Sequence, residues 1–211
     1  MIFSDETVNT LYKACISGDL NTLEKTLKKP QVNYRNKNGI SFLHICVYCG
    51  HYKLVRHLIL MGASVNSNNT NGDTPLLISV IKKYDNITKL LLNNKANPIL
   101  KNNKGITPLH CAVINNDIDI LILLLIHTKS SNIDLEDNNG NTPIHYSKNL
   151  EILKLLVNNS GNINYKNKDG NTVLHLNIED ESFVNELVKI GSDITISNND
   201  NISYLDHIVN I

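Results

Sequence analysis

Asn102-Asn103-Lys104-Gly105-Ile106-Thr107-Pro108-Leu109-His110 reads as a tight turn that runs directly into a helix start. Glycine takes a positive φ without steric cost. Thr107 offers an N-cap oxygen, and Pro108 fills the first helical position, where no N–H is needed. The same phrase recurs outward in both directions. Toward the C-terminus it reads Asp137-Asn138-Asn139-Gly140 before Thr142-Pro143-Ile144-His145, then Asn167-Lys168-Asp169-Gly170 before Thr172-Val173-Leu174-His175. Toward the N-terminus it reads Asn69-Thr70-Asn71-Gly72 before Thr74-Pro75-Leu76-Leu77, then Asn36-Lys37-Asn38-Gly39 before Ser41-Phe42-Leu43-His44. Asn198-Asn199-Asp200-Asn201 is a further copy with Asn at the glycine place, and Asn tolerates positive φ better than other side chains. The five glycines stand 33, 33, 35 and 30 residues apart.

Each start signal opens a short helix, and a second helix follows with apolar spacing such as Leu54-Val55-Leu58-Ile59 or Ile87-Leu90-Leu91. Gly62 and Gly191 stand where a left-handed residue ends that second helix. One unit is therefore turn, helix, turn, helix. Such a unit cannot bury its apolar face alone, so neighbours must stack.

The period and the Thr-Pro-Leu-His phrase resemble the ankyrin repeat over nearly the whole chain. The resemblance implies an all-α solenoid of stacked helix-turn-helix units, with β-hairpin finger loops on a concave side and about six to seven repeats. We expect one domain over 1–211. It comprises an N-terminal cap repeat at 1–34, repeats at 35–67, 68–100, 101–135, 136–165 and 166–196, and a partial repeat at 197–211. Departures from the pattern are informative. Lys95 stands where glycine is expected after the second helix of its repeat. The fourth repeat is lengthened around 128–131, and the fifth is shortened around Ser147-Lys148-Asn149-Leu150.

Charge is balanced, with 20 basic and 20 acidic side chains, so no whole-protein field favours nucleic acid or an anionic membrane. Asn makes up about one residue in six. Apolar residues at 41% oppose disorder, so the Asn and Ile bias reads as the mark of an AT-rich genome. The style is similar to ankyrin proteins of poxviruses, other large DNA viruses or AT-rich parasites. The N-terminus has no signal-peptide pattern. The longest apolar run, 118–126, falls short of the roughly 20 residues that span a bilayer. With four cysteines in no secreted framework, a cytoplasmic or nuclear setting is expected.

Cys46-Val47-Tyr48-Cys49 with His44 nearby has the outline of a metal or redox site. The repeat register assigns Cys46 to a small buried place, and ordinary packing is the expectation. His44, His110, His145 and His175 fall one per repeat beside a Thr or Ser cap. The resemblance gives such a histidine a structural role, fixing the turn by a hydrogen bond across the hairpin. No nucleophile with an orienting base and acid accompanies them, and no phosphate-binding glycine loop appears. We therefore expect no catalysis, no metal and no cofactor.

The register turns Tyr48, Ile81 and Ile114 toward the concave side, where they form an apolar stripe across consecutive layers. Ile40 and Ile106 follow the finger glycines. Exposed contiguous apolar surface marks partner sites. The expected contact set is Asn38, Ile40, Tyr48, Asn71, Ile81, Lys104, Ile106 and Ile114, on a monomer that holds another protein. The resemblance implies that Ile45, Ile78, Cys111, Tyr146 and Leu176 stand at a buried place, which assigns them to the core. A chain made almost wholly of such repeats is similar to inhibitor-of-NF-kappa-B-like decoys, as from a virus or parasite acting on a host signalling protein. It is also similar to proteasome assembly chaperones of the gankyrin type. Asn66 and Asn164, after Val65 and Ile163, match places that an asparaginyl hydroxylase modifies in other ankyrin repeats.

Overall fold

The computed structural model describes residues 4–209. The chain divides into two compact units, Met1–Asn103 and Lys104–Ile211. The first carries α1 (Asp5–Ser17), α2 (Leu20–Thr26), α3 (Phe42–Tyr48), α4 (Tyr52–Leu60), α5 (Pro75–Ile81) and α6 (Asp85–Asn93). The second carries α7 (Pro108–Ile114), α8 (Ile118–His127), α9 (Leu150–Asn158), α10 (Glu181–Lys189) and α11 (Tyr204–Val209). Single 3₁₀ turns at Pro143–Tyr146 and His175–Asn177 stand where the fifth and sixth repeats would begin a first helix. The shortened sequence there leaves too few residues for a full α-turn pair.

Helices of seven residues, such as α3, α5 and α7, are unstable alone in water. Packing holds them. In the first unit α1 lies on α2 and α3, α3 on α4 and α5, and α5 on α6. In the second, α7 lies on α8 and on the Pro143–Tyr146 turn, α8 on α9, and α9 on α10. Phe42, Leu43, Leu58, Leu76, Leu77, Ile87 and Leu91 are fully buried in the first stack, and Ile120, Leu121 and Leu124 in the second. Each such side chain contributes about 1.5–3 kcal/mol of transfer free energy. The buried Thr88 hydroxyl donates to Ser79 Oγ at 2.9 Å, and Ser79 Oγ donates to the Leu76 carbonyl at 2.8 Å, so this polar pair in the core is satisfied.

The fingers are hairpin-shaped but are not strand ladders. Among the described residues the only bridge is Arg35 with Ser41. Five of the fingers instead close through one side chain each. Asn36 Oδ1 accepts the N–H of Asn38 at 2.9 Å and of Ile40 at 3.0 Å, while the Asn36 N–H donates to the Ile40 carbonyl at 3.1 Å. Asn69, Asp137, Asn167 and Asn198 repeat this pattern in their own fingers. Asn36, Asn69, Asn167 and Asn198 thus have a structural role in their turns, which composition alone did not reveal. The glycine after each turn is left-handed. Asn201, in the sixth copy, holds φ 60°, and Lys95 holds φ 66°.

Candidate binding surface

In four repeats a histidine fastens the helix start to the finger of the next repeat; the start of α5 has Leu77 in that place. His44 Nδ1 faces Ser41 Oγ at 2.7 Å and accepts the Ser41 N–H at 3.2 Å. Its Nε2 lies 3.2 Å from the Asp73 carbonyl. A carbonyl only accepts, so Nε2 carries the proton and Nδ1 is the acceptor. His110 reaches the Asn141 carbonyl at 3.0 Å, His145 that of Asn171 at 3.1 Å, and His175 that of Ile202 at 3.1 Å. Burial pushes His44 and His145 below the ordinary imidazole value. All four rings have both nitrogens occupied.

Backbone bonds chain the finger tips within each unit. Thr70 N–H donates to the Asn38 carbonyl at 3.0 Å, and Asn103 N–H to that of Asn71 at 2.9 Å. In the second unit Asn138 donates to Lys104 at 3.0 Å, Lys168 to Asn139 at 3.1 Å and Asn199 to Asp169 at 3.0 Å. Between the fingers and the first helices of the first unit lies a groove of about 610 Å³. Its floor is Ile45 and Ile78 with Tyr48, Ile81 and Ile16. Ile40, Asn69, Asn71 and Asp73 line the finger end, and Cys49 and Lys82 the other. Lys82 Nζ sits 4.0 Å from the centroid of the Tyr48 ring.

The structure brings four of the expected contact residues together in this groove: Ile40, Tyr48, Asn71 and Ile81. Tyr48 is 59% exposed and Ile81 47%. Asn38 is exposed at its finger tip. Ile114, at 52%, lies in the second unit, in a separate cleft of about 560 Å³ with Val113, Tyr146, Lys148 and Leu150. Lys104 is exposed and Ile106 half-buried in that unit's first finger. The core assignment needs correction. Cys111 is buried, but Ile45, Ile78 and Tyr146 are only half-buried and Leu176 is 42% exposed. Ile45 and Ile78 follow the histidine place and line the groove with the finger residues, so they enlarge the floor that the sequence placed only at Tyr48 and Ile81.

Asn66 is exposed and Asn164 half-buried, and the carboxamides of both are engaged. Asn66 Nδ2 donates to the Lys95 carbonyl at 3.1 Å, and Asn164 Nδ2 donates to that of Gly191 at 3.1 Å. Their Oδ1 atoms accept from Asn97 at 2.7 Å and Asp193 at 2.9 Å. Asn33 makes the same clamp on Gly62 and Ser64. Asp134 holds the matching place before the fifth repeat. Its Oδ2 accepts the Asn162 N–H at 2.9 Å, but its Oδ1 is buried without a partner. Burial pushes the Asp134 carboxyl above the usual range.

The Cys46 thiol is fully buried and hydrogen-bonded with Cys15, and that bond together with burial pushes it far up. Such a thiol is inert packing. Among the described residues no group of three or more His, Cys, Asp or Glu is placed to hold a metal ion. No helix among them is long and apolar enough to cross a membrane.

This fold of stacked helix pairs and chained fingers defines a repeat protein that presents a surface. A family model described as ankyrin repeats (3 copies) matches residues 43–134 and 122–198, and a model of ankyrin repeats (many copies) matches residues 11–59. The chain belongs to the ankyrin repeat family. No curated protein matches it. Among solved structures it is similar to the ankyrin repeat domain of Bcl-3, described as a unique member of the IkappaB protein family. The TM-score is 0.81 at 23% identity, over 93% of this chain and 92% of that one. It is also similar to the human ASB11 ankyrin repeat domain, with a TM-score of 0.77 at 23% identity, over 93% of this chain and 90% of that one. Ankyrin repeat domains are in general protein–protein interaction modules.

Proposed function

We propose that this protein binds a partner protein on the concave face of its first unit, with the finger tips adding specificity, and that it performs no catalysis. The apolar groove carries this reading. Tyr48 and Ile81 stand out of the core side by side with Ile45 and Ile78 beneath the fingers, and contiguous exposed apolar surface of this kind marks recognition sites. Ile106 and Ile114 supply a second, smaller contact from the other unit. We place this work in the cytoplasm or nucleus. The likeness to Bcl-3 agrees with a narrower role as a decoy for a host signalling protein, but at 23% identity it carries the fold and not the partner.

A photo-crosslinking amino acid at Tyr48 tests the reading, with one at Leu60, which is 71% exposed on the second helix of the same repeat, as control. Adducts in the native cell are expected from position 48 and not from 60. Equal labelling from both, or binding unchanged when Tyr48, Ile81 and Ile114 are all Ala in a folded protein, sinks it. A second reading, hydroxylation at Asn66 or Asn164, draws on the exposure of Asn66 and the partial exposure of Asn164 in their hairpins. A gain of one oxygen on either peptide would support it.

A further inference from the structure

The groove has polarity along its length. Among the described residues Lys82 is its only lining Lys or Arg, and Asp73 its only lining carboxylate. Asp73 lies at the finger end, where its Oδ1 accepts the Asn102 amide at 3.0 Å and its carbonyl faces His44. Lys82 lies at the far end, over the Tyr48 ring, where the ring face supports an ammonium without neutralising it. Among the described residues Lys82 makes no ion pair. Between these ends the floor is Ile45, Ile78 and Ile81. The helices that form the floor, α3 and α5, are seven residues long, hence about 10 Å. That length matches about three residues of extended chain at ~3.3 Å each.

We infer that the groove takes a short extended segment of a partner protein, two large apolar residues with an acidic one at one end, the carboxylate beside Lys82. The inference rests on the concave-face reading above and names the partner's chemistry. A basic segment in the same direction meets Lys82 with like charge. An acidic group at the finger end meets Asp73. The sign pattern therefore selects composition and the end of the segment that sits at Lys82, and electrostatic complementarity governs specificity in this manner.

The test is selection of a phage-displayed random dodecapeptide library on the full-length protein. Binding of the enriched peptides is then measured on wild type, Lys82→Glu, and the Tyr48→Ala/Ile81→Ala double variant. All these side chains are partly or largely exposed, and circular dichroism checks the fold. Enriched peptides are expected to share an apolar pair with Asp or Glu at one end of it. They should weaken roughly tenfold on Lys82→Glu, because attraction becomes repulsion. They should be lost on the double variant. Peptides without the acid, unchanged by Lys82→Glu but lost on the double variant, overturn the acidic partner and leave the concave face standing. Peptides indifferent to every variant, or no enrichment, overturn both. Self-association of the wild type that Lys82→Glu abolishes, read by sedimentation equilibrium, assigns the groove to a second copy and overturns the inference as well.

Discussion

Asn66 accepts the backbone N–H of Asn97 at 2.7 Å while its amide donates to the Lys95 carbonyl at 3.1 Å, so one side chain staples two successive repeats. Asn66→Ala removes both bonds and is expected to cost about 1–2 kcal/mol in urea unfolding. Asn38→Ala, at a finger tip whose bonds are made by the backbone, should stay within about 0.5 kcal/mol of wild type. Equal losses in the two variants would contradict the staple.

Asp134 occupies the staple place but lacks the donor. Asp134→Asn restores it, gives the orphaned oxygen's position an N–H, and should stabilise the protein by about 1 kcal/mol at pH 7. The folded carboxyl titrates above its unfolded value. The folded state thus binds the proton more readily, so this contribution is fully present below the unfolded pKa. It is lost as pH rises through the folded one. The facing titratable groups are His145 and Tyr165. The benefit of Asp134→Asn should therefore shrink as the pH is lowered from 7 toward 4. A benefit independent of pH would count against this account.

The histidine fasteners act with the opposite sign. His44 and His145 are depressed by burial, so the unfolded chain binds their protons more readily. Their contribution is present above the unfolded value near 6.5 and is lost as pH falls through the folded values. Melting temperature should drop between about pH 6.5 and 5. The drop should be smaller in His44→Gln and His145→Gln, although both variants start lower at pH 7.5.

Backbone strain gives a third pair of substitutions. Lys95 holds a left-handed φ of 66° at an exposed helix end, and Lys95→Gly should stabilise by about 1 kcal/mol. Gly72 holds φ 80°, and a Cβ there would stand 2.7 Å from the Asn103 nitrogen and 2.8 Å from Asn102 Cα. Both are backbone atoms that cannot rotate away. Gly72→Ala should therefore cost more than the roughly 1 kcal/mol of conformational strain alone. Calorimetry on both variants decides.

The repeat was legible because its punctuation is local. Thr107, Pro108 and Gly105 act through their own backbone, and five to six copies in phase leave one fold. The faces were less legible. A seven-residue helix makes about two turns, too few for periodicity to separate a side turned to the core from one turned to the fingers. Both sides of α3 and α5 carry Ile, Val or Leu, so Ile45 and Ile78 read as core although they floor the groove. Leu176 misled for another reason: its helix gave way to a 3₁₀ turn, which changes the side chain's direction. The staples at Asn33, Asn66 and Asn164 were hidden because each reaches a residue 27 to 31 places further along, beyond any local pattern.

The links between neighbouring fingers run from N–H to C=O at Asn38, Asn71, Lys104, Asn139 and Asp169. Peptide groups are common to nearly every amino acid. The lettering at those tips can therefore be rewritten without unpicking the stitching beneath it, which lets recognition diverge while the scaffold stays as it is.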